Sequence, residues 1–386
     1  MFMLGLVSMP VFASMPPPYA VVLIDYLDSR PLTDADIFPS LHPMVEFTAN
    51  GPGVDAVVWP RSLSYRFVKI RFQNPMSTPH TATLTITGAS FTTPLGVSNL
   101  TIPLPNNQLS FPAYGEAEKT LSIGGLPDYV AKGELAVNFT LIANTPGGTS
   151  LSGGFAVEAY LTEADSTGVQ NPVWRNVLDH ACAWAMGKQG AYDVAESCTL
   201  GLYHSGLFSY IGGASNYFKA DDESILIHYD LTQFFEDTYL GNWTNGDCKD
   251  VSGYLHITLL ALGVENETVQ EWPSPEVGIR TNPIAPIGSD SADPSSYNLT
   301  FWNFHQICVF DFSVFDACLA LMYDPGGNVY MEPPLLWTVN SWWQWPNWGY
   351  PGNGRPQFYG LVDGYIGAPS GLVNRTGTSV EIVEVR

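Results

Sequence analysis

The stretch Gly246-Asp247-Cys248-Lys249-Asp250 ends a polar approach, GNWTNGD, and opens the apolar run VSGYLHITLLALGV. A cysteine in the first turn of a buried helix sits where unpaired backbone N–H groups and the helix dipole favour a thiolate. Its pKa falls there, and it becomes a nucleophile near neutral pH. Asp247 or Asn245 would cap such a helix. The same N–H groups, that of Cys248 included, can bind the oxyanion that forms when a thiolate attacks a carbonyl carbon. Trp243 and Asn245, just ahead of the cysteine, are the side-chain candidates for lining that oxyanion site. The chemistry expected of this arrangement is acyl transfer through a covalent acyl-enzyme.

A thiolate nucleophile needs a proton carrier, and the carrier needs a carboxylate to orient it. His256 stands eight residues beyond Cys248 on the same helix. At about 1.5 Å per residue that is over two turns, so its ring cannot reach back to the sulfur. His305, in the strand-like run FWNFHQICVF, is better placed. If HQICVF and VFDACLAL form a hairpin closed by Asp311 and Phe312, residues whose numbers sum to 623 face each other. Cys318 then lies opposite His305 and Asp316 opposite Ile307, which makes Asp316 the diagonal, same-face neighbour of His305 at ~7 Å. An aspartate bounded by Phe315 and Ala317 is costly to bury unless something pairs with it. Taken singly, Cys248 reads as a buried structural thiol and His305 as a satisfied sheet histidine. Together with Asp316 they make a nucleophile, a base and an orienting acid.

The elements that must hold these residues are legible as patterns. Val251, Leu255, Leu259 and Leu262 recur at i, i+4, i+8 and i+11, and Gly263 stops the helix. Val173, Val177, Ala181, Trp184 and Ala185 mark an earlier helix, with Asn171 as its cap and Pro172 at its first position. YDLTQFFEDTYL, near residues 229–240, is another helical patch, while LTFWNFHQICVF and SVFDACLALMY read as two strands joined by a tight connection. The second half is therefore α+β, helices first and an antiparallel sheet after. The order cysteine at a helix start, histidine on a strand and aspartate on the next, carried by NGDCKDVSGYLHITLLALGV and VFDACLAL, resembles the transglutaminase-like superfamily of papain-like thiol enzymes over roughly residues 171–325. The resemblance implies Cys248 as nucleophile, His305 as general base and acid, and Asp316 as the residue that orients the imidazole. It also implies an α+β core with an antiparallel sheet behind the active-site helix. The Pro- and Ser-rich segment 265–297 reads as an inserted loop over the site.

Residues 1–14 read as a signal peptide, with Val11 and Ala13 as the small-residue pattern ahead of cleavage. Residues 15–165 read as an immunoglobulin-like antiparallel β-sandwich. RFVKIRF, TATLTIT, KTLSIGG, LAVNFTLIA and FAVEAYLT alternate between clusters of Pro, Gly, Asn and Ser. The run from TATLTITG to EAEKTLSI resembles the immunoglobulin-like modules of bacterial surface proteins. EADSTGVQNP marks the boundary, and residues 166–386 form the transglutaminase-like domain of a multidomain chain.

Thirty-seven acidic residues against 15 basic ones give the 386-residue chain a net charge of −22, which repels nucleic acid and anionic membrane surfaces. No later apolar run approaches the ~18 residues of a membrane span. The expectation is a secreted or cell-surface protein with a protein or peptide substrate. No cofactor is called for: there is no C-x-x-C or H-x-x-x-H pair and no D-x-[DN]-x-[DN]-G loop, although an acidic exported chain leaves calcium open. Cys182 could pair with Cys198. Trp342, Trp343, Trp345 and Trp348 read as packing, with a sugar-stacking platform as the alternative. The leading functional reading is a Cys-His-Asp peptidase or amidase, hydrolysis favoured over cross-linking. Its rival is a non-catalytic surface or adhesion protein that keeps the same core as a scaffold and binds glycan or protein through the aromatic segment. A glycoside hydrolase would need a carboxylate pair, and none stands out in the sequence.

Overall fold

A computed structural model of the chain describes residues 19–27, 29, 32–33, 41–42, 46–47, 56–145, 148–165, 173–211, 215–220, 227–240, 244–272, 279–280, 284–288, 301–302, 305–311, 313–323, 329–332, 376–380 and 382–385. The expected signal peptide, Asn171, Pro172, Trp243 and the tryptophan cluster at 342–348 lie outside these residues.

The alternating runs of the first part become strands of two sheets. In Arg66–Gln73, Val68, Ile70 and Phe72 are buried while Phe67 and Gln73 face out, the period of two that a half-buried strand requires. This strand lies in a four-stranded sheet, ordered Glu116–Ile123, Arg66–Gln73, Ala20–Leu27 and Glu46–Phe47. The second sheet runs Ala56–Pro60, Ser150–Thr162, Ala131–Ala143, His80–Thr93 and Gly96–Asn99, with Gln108–Phe111 also paired to His80–Thr93. Ala56–Pro60 pairs in parallel and the remaining neighbours antiparallel. The sheets share one apolar core: Ile24, Val68 and Leu121 from the first meet Leu84, Leu135 and Val137 from the second. Phe72 packs edge-on to Phe139 with ring centroids 5.4 Å apart.

Among the described residues four helices follow: α1 (Arg175–Trp184), α2 (Ala191–His204), α3 (Leu231–Tyr239) and α4 (Cys248–Ala261). Three match the sequence patterns. α2 was not expected, because its buried positions Val194, Ala195, Cys198 and Leu202 are diluted by Ser, Thr and Gly. α1 begins later than its anticipated cap, since Val173–Trp174 instead form a short strand parallel to Leu32–Thr33. A second core cluster runs from Ala56, Val58 and Tyr160 of the larger sheet, with Val130 just ahead of one of its strands, onto these helices. Lys132–Asp179 (2.7 Å) and Arg175–Glu158 (3.1 Å) tie α1 to the sheet at the rim of this contact. Cys182 and Cys198 are free, buried thiols. The disulfide anticipated between them is not formed; each fills the helix packing as a small hydrophobe.

α4 is the centre of the second part. Every residue from Val251 to Ala261 is buried, so the helix has no solvent face. Gly253 makes this packing possible, since a Cβ there would lie 2.8 Å from the Tyr229 ring and 3.1 Å from Phe218. Gly253→Ala should therefore destabilise the fold by ~1–3 kcal/mol through overpacking, despite alanine's advantage of about 1 kcal/mol in helix propensity. Urea denaturation of wild type and variant measures the difference.

Behind α4 lies an antiparallel sheet ordered Ser313–Phe315, His305–Phe310, Glu267–Trp272 and Thr376–Val380. The hairpin register is the expected one: Cys308 faces Phe315, Val309 faces Val314 and Phe310 faces Ser313. Asp311 takes φ 45°, as a two-residue turn demands. Three expectations are corrected. The segment after α4 is not an inserted loop at its start, because Glu267–Trp272 is a strand paired with both His305–Phe310 and Thr376–Val380. SVFDACLALMY is not one strand either. Asp316 Oδ1 accepts a hydrogen bond from the N–H of Cys318 at 2.8 Å, a local turn that competes with the ladder. The chain then leaves for a separate sheet in which Leu319–Tyr323 pairs with Ile284–Pro286. LTFWNFHQICVF also divides, since Phe301–Trp302 pairs with Ile279–Arg280.

Candidate active site

Cys248 is the first residue of α4, and Asp247 is its cap. The Asp247 carboxylate accepts from the N–H groups of Lys249 (2.8 Å) and Asp250 (3.3 Å), so the N–H of Cys248 is not among those the cap consumes. Asp250 completes a capping box by accepting from the Asp247 N–H at 3.2 Å. The thiol is 4% exposed and carried on the positive end of the helix dipole.

The structure brings Cys248, His305 and Asp316 together. His305 Nε2 and Asp316 Oδ2 are 2.8 Å apart, both side chains buried. Cys248 lies within electrostatic reach of the His305 ring, and since Asp316 takes Nε2, Nδ1 is the ring atom left to face it. Burial alone would push the imidazole's pKa down, but Asp316 first and Cys248 second outweigh it and raise His305 to about 10. Asp316 does not meet the ring as a regular cross-strand diagonal, because the ladder ends at Phe315. It meets it from the turn that its own carboxylate stabilises.

That raised pKa has a stability consequence with a definite sign. The folded state holds a proton on His305 that an unfolded histidine, with a pKa of ~6.5, releases. The contribution is complete below the unfolded value and is lost as pH rises towards about 10. The melting temperature of the wild type should accordingly fall between pH 7 and 10 more steeply than that of His305→Gln, as read by thermal unfolding at each pH.

The remaining candidates fall as follows. His256 bonds Asn266 Oδ1 at 2.8 Å, away from the thiol. Asn245 sits in the short strand Asn245–Gly246, paired in parallel with Ser209–Tyr210, and its carbonyl accepts from the Asn216 side chain. Trp243 lies outside the described residues. His305, Asp316 and Cys318 bring a nitrogen, an oxygen and a sulfur within 4.8 Å of one another. That is the donor set of a transition metal rather than of calcium, and two of the three are already bonded to each other.

Sequence reasoning missed Asp250. Its buried carboxylate accepts from three further backbone groups, the N–H of Asn216 (2.9 Å), Tyr217 (2.8 Å) and Phe218 (2.8 Å). Burial raises its pKa to about 6, against the lowering effect of those bonds. The spacing Asp247-x-x-Asp250 is a capping signal that could have found it. The partners at 216–218 carry no sequence signal, since their approach is a tertiary contact.

No protein-family model and no curated protein matches the chain. Among solved structures, it is similar to the ASH/PapD-like domain of human CEP192, with 13% identity over 29% of this chain and 83% of that one at a TM-score of 0.21. It is similar to the CooA pilin subunit of enterotoxigenic Escherichia coli, with 11% identity over 30% and 95% of the two chains at a TM-score of 0.21. A candidate cysteine protease from Cytophaga hutchinsonii aligns over 66% of this chain and 77% of its own, with 11% identity and a TM-score of 0.19.

Proposed function

We propose that the chain is an exported thiol enzyme of transglutaminase-like type that attacks amide or peptide carbonyls through Cys248, with His305 and Asp316 as its partners. The observation that carries this reading is the His305 ring, hydrogen-bonded to Asp316 and within electrostatic reach of a thiol at a helix start. In the reaction, the Cys248 thiolate forms an S–C bond to the carbonyl carbon and the C=O pair moves onto oxygen. The pair returns as the C–N bond breaks, and the His305 imidazolium gives its proton to the departing amine. Water, deprotonated by the now neutral imidazole, releases the acyl group as acid. Hydrolysis is the simpler resolution because water needs no second binding site, whereas cross-linking needs an ordered amine. The reading includes a leader at 1–14, a sandwich module at 15–165 and a catalytic domain at 166–386. The net charge of −22 turns the protein away from nucleic acid, and among the described residues no helix is long and apolar enough to cross a membrane.

Alkylation by iodoacetamide, followed for each cysteine by mass spectrometry across pH, tests the pair. Cys248 should react rapidly below about pH 7, well under the ordinary thiol pKa of ~8.5, and lose that reactivity in His305→Ala. A Cys248 that reacts as an ordinary thiol in both proteins would put the scaffold reading, a surface or adhesion protein, in its place.

A further inference from the structure

The short strand Ser209–Tyr210 is wedged between the two segments that build the thiol site. On one side it pairs in parallel with Asn245–Gly246, Tyr210 standing beside Gly246 two residues before the nucleophile, and the N–H of Ile211 donates to the Gly246 carbonyl at 2.9 Å. On the other side the Tyr210 N–H donates to the Ile287 carbonyl at 3.1 Å, and the Ile287 N–H donates to the Cys318 carbonyl at 2.7 Å. The backbone row Gly246, Tyr210, Ile287, Cys318 thus fixes Tyr210 between the entry to Cys248 and the turn that carries Asp316. The segment on its far side is pinned as well. Ser215 donates to Asp247 Oδ2 at 2.9 Å and the N–H groups of Asn216, Tyr217 and Phe218 donate to Asp250, so both acids of the α4 capping box hold residues 215–218.

The Tyr210 phenol lies in the combined field of Cys248, Cys318, Asp247 and Asp316. Burial first, and those four groups after it, raise its pKa, so it keeps its proton. Among the described residues its hydroxyl has no hydrogen-bond partner, and the residue is only partly buried. A protonated donor held beside a nucleophile is what a developing oxyanion requires.

We infer that Tyr210 is a catalytic residue whose hydroxyl donates a hydrogen bond to the oxyanion formed when Cys248 attacks an acyl carbon, alongside the Cys248 N–H. The assignment rests on the acyl-transfer reading above. No proton is transferred from Tyr210. As the S–C bond forms, the carbonyl pair shifts to oxygen and the Tyr210 O–H···O bond tightens; as the pair returns and the leaving group departs, it relaxes. Tyr210 thereby takes the part that the sequence had offered to Trp243 or Asn245, from a residue 38 positions upstream of the cysteine.

Two reagents separate this role from an effect on the thiolate. Acylation by p-nitrophenyl acetate passes through an oxyanion: the S–C bond forms, the C–O bond breaks, and p-nitrophenolate leaves with its electron pair. Alkylation by iodoacetamide occurs at a tetrahedral carbon and creates no oxyanion. Both rates are measured on the full chain, with the acetyl or carboxamidomethyl group located on Cys248 by mass spectrometry. Tyr210→Phe, which removes a single oxygen, should slow acylation by ~10² and leave the alkylation profile with pH in place. Equal acylation rates in wild type and variant would overturn the assignment. Parallel loss of acylation and alkylation would also overturn it, by showing that the hydroxyl acts on the sulfur. A wild-type Cys248 that is neither acylated nor abnormally alkylated would instead bring down the underlying acyl-transfer reading, and Tyr210 with it.

Discussion

Asp316→Ala should reduce the alkylation rate of Cys248 at pH 6.5 about a hundredfold. The imidazole of His305 is fully buried, an environment that by itself favours the neutral ring. Asp316 is the largest influence acting the other way. Without it the ring loses its charge and Cys248 loses the cation that would stabilise its anion. A positioned proton-carrying partner contributes roughly 10²–10⁴-fold, and the expected loss is the lower end of that range. Asp316→Asn should fall between the two, because an amide oxygen can still orient Nε2 but supplies no charge. Reactivity equal to wild type in Asp316→Ala, with the fold shown intact by circular dichroism, would remove Asp316 from the site.

Asp250→Ala should cost about 3–5 kcal/mol of stability. Four backbone N–H groups, those of Asn216, Tyr217, Phe218 and Asp247, converge on this one buried carboxylate. A buried donor left without its acceptor costs roughly 1–3 kcal/mol, and the partial exposure of Asn216 keeps the total below the sum. Asp250→Asn should lose less, since one oxygen is retained while an NH₂ group is turned against donors. The pH dependence carries its own sign. The folded pKa of about 6 lies above the unfolded value of ~3.9, so the native state binds the extra proton between them, and this group's contribution falls as pH rises from 4 to 6. Chemical denaturation at pH 4.5 and pH 7 reads both effects. An Asp250→Ala protein as stable as wild type at both values would refute the role.

The features legible in the sequence were those set by local rules. The period of two in RFVKIRFQ, the apolar run after Cys248, the stop at Gly263 and the hairpin around Asp311 all follow from residue type over a few positions, and the register through Cys308 and Phe315 followed from the turn. Cys248 and His305 could be placed because each lies on such an element, and Asp316 because it follows directly on the hairpin. What escaped notice depended on partners far along the chain. Glu267–Trp272 is a strand because His305–Phe310 and Thr376–Val380 flank it. Tyr210 is tied to Gly246 and, through Ile287, to Cys318 by a backbone row that no spacing encodes. Asp316 breaks its strand because a carboxylate can bond its own backbone two residues on, a choice that the apolar pattern of VFDACLAL concealed.

The sheet behind the thiol also sets an order of events during synthesis. Thr268 pairs with Val380, so the strand next to the histidine's own gains its second neighbour from residues made long after the thiol, imidazole and carboxylate have been made. Long-range pairings close last because their loop entropy must be met before their contacts form. A growing chain therefore carries Cys248, His305 and Asp316 before the strand that completes the sheet behind them.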